Sequence, residues 1–368
     1  MTTKVPFFGI KRQYQNLREE ILNATDKVYS SGRVLDGDYT TEFETEMAHR
    51  CRREYAVSVN SGSQGLILAQ KATLGSPDAK ILIPTISFVA TLNSCIMSGN
   101  TPVFCDVDDQ ALIDLESIDY SVKGAGVQAI MYVNMFGNTV DYDRFTTISK
   151  FFNEDIMVIE DAAQSFGASY KGIPSGKMGD VSVLSFDPTK NLNSYGSGGM
   201  VLTDNYDIHL LLQNFKDNGK YNQHDVEGTN SKMSEAECAQ MLVKLAHFDH
   251  WQQRRQDIAD YYTQELSEVV DCPRTTEGAV HAWHKYVIKC ADRSALQSHL
   301  ANLGIETKVH YSTPLYEHGI GFPYINYASE LYREASAFAT ECLSLPIYPE
   351  LTDAEVEAVV LAVKQYSS

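Results

Sequence analysis

Short apolar runs alternate with longer helical stretches along most of this chain, and that alternation admits few folds besides an α/β sheet with helices on both faces. Strands are expected at Tyr55–Val59, Lys80–Ile83, Pro102–Val107, Val127–Val133, Ile156–Glu160, Val181–Phe186 and Met200–Thr203. Most are continuous apolar runs, the pattern of parallel strands buried on both faces. Helical stretches Gly65–Ala72, Thr91–Met97 and Asp141–Phe152 lie between them. A long helix opens at Ser234 with Ser234-x-x-Glu237 as a capping box, and Cys238, Met241, Leu242, Leu245 and Phe248 recur at helical spacing. Beyond Trp251 come a charged stretch, a strand near Tyr286–Cys290, a helix at Ala295–Leu303 and a last helix after Thr352. The expected organisation is a large domain over residues 1–248 and a smaller α+β domain over 249–368.

A chain of 368 residues can bury a core of that size. Its 48 Asp and Glu outweigh 30 Lys and Arg, for a net charge of −18, and no basic cluster matches a phosphate backbone. Nucleic acid is therefore not an expected partner. The opening Met1-Thr2-Thr3-Lys4-Val5-Pro6-Phe7-Phe8 lacks the apolar core of a signal peptide, and no apolar run approaches the roughly 18 residues of a membrane span. A soluble, cytoplasmic protein is expected. The 7 cysteines are scattered, without a Cys-x-x-Cys pair, which argues against a disulfide framework and against a structural zinc; no metal site is expected.

Ligands of open α/β sheets collect at the carboxyl ends of the strands. Glu160-Asp161-Ala162-Ala163-Gln164 ends one apolar strand, and Ser185-Phe186-Asp187-Pro188-Thr189-Lys190 ends the next. An acid at one strand end and a lysine past the next is the arrangement that pyridoxal 5'-phosphate (PLP) chemistry needs. The lysine forms a Schiff base, and the carboxylate keeps the pyridine nitrogen protonated so that the ring acts as an electron sink. Taken singly, each residue has a plainer explanation. Asp161 could be a helix N-cap or half of a buried ion pair. Lys190, in a loop flanked by Pro188, Gly196, Gly198 and Gly199, could be a surface lysine. Val59-Asn60-Ser61-Gly62-Ser63-Gln64-Gly65 leaves a strand and opens a helix, where N–H groups and hydroxyls could hold a phosphate or merely cap the helix. Ser185 could add a phosphate hydroxyl, and Phe88 could stack on a pyridine ring or pack in the core. The convergence of turn, acid and lysine in one order favours the coenzyme.

The chain resembles the PLP-dependent nucleotide-sugar aminotransferases, the DegT/StrS family, over nearly its whole length. The likeness is carried by Pro6-Phe7, Arg12-Gln13-Tyr14, Ser31-Gly32 to Gly37, Ser61-Gly62-Ser63, Pro84 to Asn93, Pro102-Val103-Phe104 and Asp106-Val107-Asp108. Glu160 to Gln164, Ser185 to Lys190, Gly198-Gly199, Gly228 to Met233, His310-Tyr311 and Leu345-Pro346 continue it. The resemblance implies an aspartate-aminotransferase-like architecture (fold type I) and a homodimer with shared active sites. It also implies roles. Lys190 would carry the coenzyme and shuttle the proton, Asp161 would pair with the pyridinium nitrogen, Gln164 would touch the ring hydroxyl and Phe88 would stack on the ring. Gly62, Ser63 and Ser185 would hold the phosphate, with Asn230 from the other subunit. His310 and Tyr311 would face the sugar, and Lys232 stands where many relatives have an arginine near it.

The implied reaction takes an amino group from L-glutamate, releases 2-oxoglutarate, stores the amine as pyridoxamine phosphate and passes it to a keto group of a nucleotide-linked hexose, with ping-pong kinetics. Asp187, Ser197 and Lys216-Asp217-Asn218-Gly219 depart from the family pattern, so substrate specificity does not carry over directly; Asp187 is expected to shape the sugar site or position Lys190. The Pro188-x-Lys190 loop and the Glu160 to Gly172 stretch look closest to relatives that aminate C3 of keto-sugars, including UDP-linked glucuronate derivatives, although C4-aminating relatives share most motifs. Two alternatives stay open: a sugar dehydratase of the same fold, whose relatives have histidine at the Lys190 position, and a non-catalytic nucleotide-sugar-binding or regulatory protein.

Overall fold

A computed structural model describes residues 4–75, 77–118, 126–152, 154–325 and 332–367. The chain starts with two helices, α1 (Ile10–Ser31) and α2 (Asp38–Arg50), and then alternates: β1 (Tyr55–Val59), α3 (Gly62–Leu74), β2 (Lys80–Pro84), α4 (Val89–Met97), β3 (Thr101–Cys105), β4 (Ala129–Val133), α5 (Tyr142–Phe152) and β5 (Met157–Asp161). A short hairpin of β6 (Ser169–Tyr170) and β7 (Ile173–Pro174) precedes β8 (Val181–Ser185), β9 (Gly199–Thr203), α6 (Tyr206–Lys216) and the long α7 (Glu235–Leu266). The remainder holds β10 (Ala279–Val280), β11 (Tyr286–Lys289), α8 (Arg293–Asn302), α9 (Arg333–Glu341), β12 (Cys342–Leu345) and α10 (Asp353–Ser367).

The main sheet has the order β1-β9-β8-β5-β4-β2-β3. All its neighbours are parallel except β9, which runs antiparallel to β8 and β1. This is the mostly parallel mixed sheet, flanked by helices, expected of fold type I, and the expected strands fall on observed ones. The boundaries differ for local reasons. The third strand stops at Cys105 because the Asp106 carboxylate turns aside to accept bonds from the N–H groups of Val107, Glu334 and Ala335. Helix α3 begins at Gly62, three residues earlier than expected, because the Ser61 hydroxyl caps it by accepting from Gln64 N at 3.1 Å.

Two large apolar regions stand out among the described residues, beside smaller clusters under α1. One lies on both faces of the main sheet. The other surrounds the antiparallel pair β11–β12 and gathers Ile258, Tyr262, Leu296, Leu300, Val359 and Val363, together with Val5 from the chain start. Helix α7 belongs to both: Cys238, Met241, Leu245 and Phe248 pack in the sheet core, and Ile258, Ala259, Tyr262 and Leu266 in the other. It runs unbroken through the charged stretch after Trp251, where hydrophobic spacing alone gave no continuation. Its N-terminus carries the expected capping box, with Ser234 Oγ accepting from Glu237 N at 3.2 Å.

Candidate active site

The carboxyl ends of β5 and β8, the start of α3 and the start of α4 converge on a cavity of about 340 Å³. Gly62, Ser63, Phe88, Asp161, Gln164, Ser185, Asp187, Lys190, His310 and Tyr311, all singled out from the sequence, line it. Asn230 and Lys232 do not. Asn230 is exposed and bridges to Asp217, and Lys232 forms an ion pair with the same aspartate.

Adjacent residues at the end of β5 face different surroundings, as strand geometry requires. Asp161 borders the cavity; its carboxylate accepts from Thr91 Oγ1 at 2.9 Å and from Ala163 N at 3.1 Å. Burial pushes its pKa above the usual carboxylate range, only partly offset by those bonds and by Lys190. Glu160 points into the protein and is saturated by Asn134, Ser175, Ser182 and the N–H groups of Gly176 and Met178. Its place is architectural.

Lys190 sits in a tight turn made by its own neighbours. The Asp187 carboxylate accepts from Thr189 N at 3.0 Å and from Thr189 Oγ1 at 2.7 Å, and Lys190 N donates to Asp187 O at 2.9 Å. Asn193 Nδ2 donates to Pro188 O, and Lys244 Nζ on α7 donates to Asn193 O at 2.6 Å. Asn191 Nδ2 ties the same loop to Ala282 O at 2.6 Å. The Lys190 ammonium makes no hydrogen bond or ion pair among the described residues, and desolvation lowers its pKa against the attraction of Asp161 and Asp187. A lysine that is neutral more often than usual is a better nucleophile and base.

On the opposite wall His310 Nδ1 meets Ser344 Oγ at 2.7 Å, and burial beside Lys285 and Lys308 pushes its pKa down to about 3. The imidazole is thus neutral across the physiological range. Tyr311 lies with its ring 6.2 Å from that of Phe88, which is half exposed at the cavity. Phe8, Thr91, His284, Lys285 and Lys308 also line the space and were not anticipated. A local signal existed for some of them: the polar run His281-Ala282-Trp283-His284-Lys285 immediately precedes an apolar strand.

The residues present fit PLP. The turn opening α3 comes so close to Ser185 that a Cβ on Gly62 would lie 2.7 Å from Ser185 Cβ, so backbone N–H groups and hydroxyls, not side-chain bulk, edge the cavity at the positive end of a helix. Asp161 is a buried carboxylate with neutral donors only, which suits a protonated ring nitrogen. Lys190 has a free, desolvated amine. Among the described residues no cluster of His, Cys, Asp and Glu suited to a metal ion occurs.

Comparison with known proteins gives the same direction. A family model described as the DegT/DnrJ/EryC1/StrS aminotransferase family matches residues 15–364. The chain is 33% identical over 370 residues to a pleiotropic regulatory protein of Geobacillus stearothermophilus, covering 98% of each. It is 32% identical over 377 residues to a dTDP-3-amino-3,4,6-trideoxy-alpha-D-glucose transaminase of Streptomyces venezuelae, covering 100% of this chain and 97% of that protein. The crystal structure of S. venezuelae DesV matches with a TM-score of 0.95 at 31% identity, over 100% of this chain and 99% of the other.

Proposed function

Because this chain belongs to the DegT/DnrJ/EryC1/StrS aminotransferase family, we propose that it moves the amino group of L-glutamate to a keto group, at C3, of a nucleotide-diphosphate-linked hexose. The product would serve amino-sugar biosynthesis for a surface polysaccharide or glycoconjugate, such as a lipopolysaccharide O-antigen. The family is PLP-dependent, and several relatives of this chain are named sugar transaminases. The observation that carries the reading is that a buried Asp161, hydrogen-bonded only by neutral donors, and an unbonded, desolvated Lys190 border one cavity.

PLP bound here would supply an electron sink for the carbon that loses or gains a proton. Lys190 would hold the coenzyme between turnovers and carry that proton on Nζ once released. Asp161, oriented by Thr91, would keep a positive charge on the ring nitrogen. Gly62, Ser63 and Ser185 would bind the phosphate, Phe88 would cover a ring face, and Gln164, whose Oε1 is fixed by Phe136 N at 3.2 Å, would direct its amide group to the ring hydroxyl. His310, neutral and anchored by Ser344, and Tyr311 would meet the sugar. Asp187 would act chiefly by shaping the Lys190 turn.

Amination at C3 is supported by the 3-amino product in the name of the S. venezuelae relative. A homodimer with shared sites is supported by Asn230 and Lys232, which stand off their own chain's cavity where a partner could use them. A cytoplasmic location agrees with the finding that no helix among the described residues is long and apolar enough to cross a membrane. The regulatory name of the G. stearothermophilus relative favours a second, non-catalytic reading, against which stands the retained Lys190 and Asp161 pair. Incubation of the PLP-loaded protein with L-glutamate and a panel of keto-sugar nucleotides, with the aminated carbon assigned by NMR, tests the proposal; a 3-amino product is expected, and a 4-amino product or none would overturn it.

A further inference from the structure

We propose that Lys285 and Lys308 together form the subsite that receives a carboxylate of the amino donor. This rests on the aminotransferase reading of the same cavity and adds to it a donor-binding function for two residues that no motif marks.

Lys285 stands just before β11, its N–H fixed to Phe136 O at 3.2 Å. Its side chain is only 6% exposed, yet it lines the cavity. Among the described residues its ammonium has neither a hydrogen bond nor an ion pair. Its neighbours are aromatic faces, with Nζ 4.8 Å from the Phe8 ring centroid and 5.3 Å from that of Phe7. Lys308, two residues before His310, places its Nζ 4.7 Å from Phe8 and 5.8 Å from Phe7. Two like charges thus share one pair of rings. Aromatic faces offset part of the desolvation of a lysine but supply no counter-charge, and a buried ammonium without one is costly. An anion entering from the cavity relieves both the burial and the mutual repulsion.

The identity of that anion follows from the rest of the lining. No arginine borders this cavity among the described residues. Lys190 is committed to the coenzyme, and the coenzyme phosphate has its own place at the start of α3. His284 and His310 are held neutral by burial and by the neighbouring lysines. Lys285 and Lys308 remain as the cations that this chain itself presents to a substrate in the cavity, and any amino-acid donor brings a carboxylate next to the reacting carbon. Burial, together with Lys190, Arg255 and Lys308, holds the Lys285 pKa well below the usual lysine range, with Asp187 opposing. A carboxylate arriving at Lys285 therefore favours its charged form.

The test uses the PLP-loaded enzyme and glutarate, a dicarboxylate that has no amine and cannot react. Calorimetric titration is expected to give a Kd raised about tenfold or more in both Lys285→Met and Lys308→Met, the scale of one lost charge-assisted bond, and largely restored in Lys308→Arg. Lys308 is exposed, so its variants are not expected to disturb folding. In the half-reaction with L-glutamate alone the apparent Kd should rise by a similar factor, with PLP affinity unchanged. No glutarate binding by the wild type, or equal binding by wild type and both variants, would overturn the subsite. Failure of any amino acid to convert the wild-type coenzyme would overturn the donor reading itself, whereas conversion of wild type and variants at the same apparent Kd would overturn the subsite alone.

Discussion

Glu160 and Asp161 are neighbours in sequence with opposite tasks, and the difference lies in their bonds. Glu160 accepts from five residues and holds the segment from Ser175 to Ser182 against β5. Glu160→Ala would strand several of those donors, at about 1–3 kcal/mol each where they stay dry, and should lower the urea midpoint of the apo-protein markedly. Asp161→Asn should behave in the reverse manner. It keeps shape and relieves a buried, unpaired carboxylate, so the fold survives, while turnover falls by about a hundredfold or more because the ring nitrogen loses its counter-charge. Stopped-flow half-reactions and denaturation curves on the two variants check both sides. Nothing in the sequence marked a task for Glu160, but Asp161 was legible because it ends a continuous apolar run. Lys285, Lys308 and Phe8 were not. Their proximity is made by the chain start, where Val5 N bonds Gly304 O at 2.9 Å and Phe7 N bonds Glu306 Oε2 at 3.1 Å, about three hundred residues apart. No local pattern encodes that.

Among the elements, α3 and α7 do most to set the site. The start of α3 is packed so tightly on Ser185 that Gly62→Ala must shift either the turn or the strand end. Such overpacking costs ~1–3 kcal/mol, and since the turn edges the proposed phosphate position, titration of apo-protein with PLP should show affinity weakened about tenfold or more. Helix α7 supports the Lys190 loop through Lys244, which is fully buried, with its ammonium 3.5 Å from the centroid of the Tyr195 ring. Burial pushes the Lys244 pKa down to about 7, opposed weakly by Glu350. An unfolded chain would hold that proton up to about pH 10.4. Between those values the unfolded state binds more protons than the folded one, so stability rises with pH there, by up to ~1.4 kcal/mol per pH unit, and is flat below. The urea midpoint of the wild-type apo-protein should therefore climb more steeply from pH 7 to 10 than that of Lys244→Met; parallel curves would contradict this. Helices α1 and α2 had escaped the sequence pattern. Their buried apolar positions are sparse, Leu17, Ile21 and Val28 in α1 and Phe43 and Met47 in α2, and polar residues dominate both. Part of the start of α2 is fixed from afar, by the buried Glu235 carboxylate, which accepts from Gly37, Tyr39 and Thr40 N–H groups.

The whole molecule joins a net charge of −18 to a cavity lined by three lysines. Anionic substrates must therefore be drawn by the local field of the cavity against the field of the surface, and salt should screen the surface more than the cavity. The proposed homodimer makes a further demand at this scale. A hybrid of Lys190→Ala and Asn230→Ala subunits should regain turnover lost in either parent, because one of its two sites would hold both residues, and sedimentation should report twice the chain mass. The strands of the main sheet and its α/β class were readable from alternating runs, but the strand order and the sharing of α7 between cores were not, since the charged second half of α7 buries one narrow face only. The central claim is that Lys190, opposite Asp161, carries PLP through amino transfer. The most direct measurement follows the absorbance of the PLP-loaded protein on addition of L-glutamate. The wild type should lose the band of the lysine-linked coenzyme as that of the amine form appears, 2-oxoglutarate should reverse the change, and Lys190→Ala should show neither; an unchanged wild-type spectrum with every amino acid tried, or full conversion and turnover in Lys190→Ala, would contradict the account.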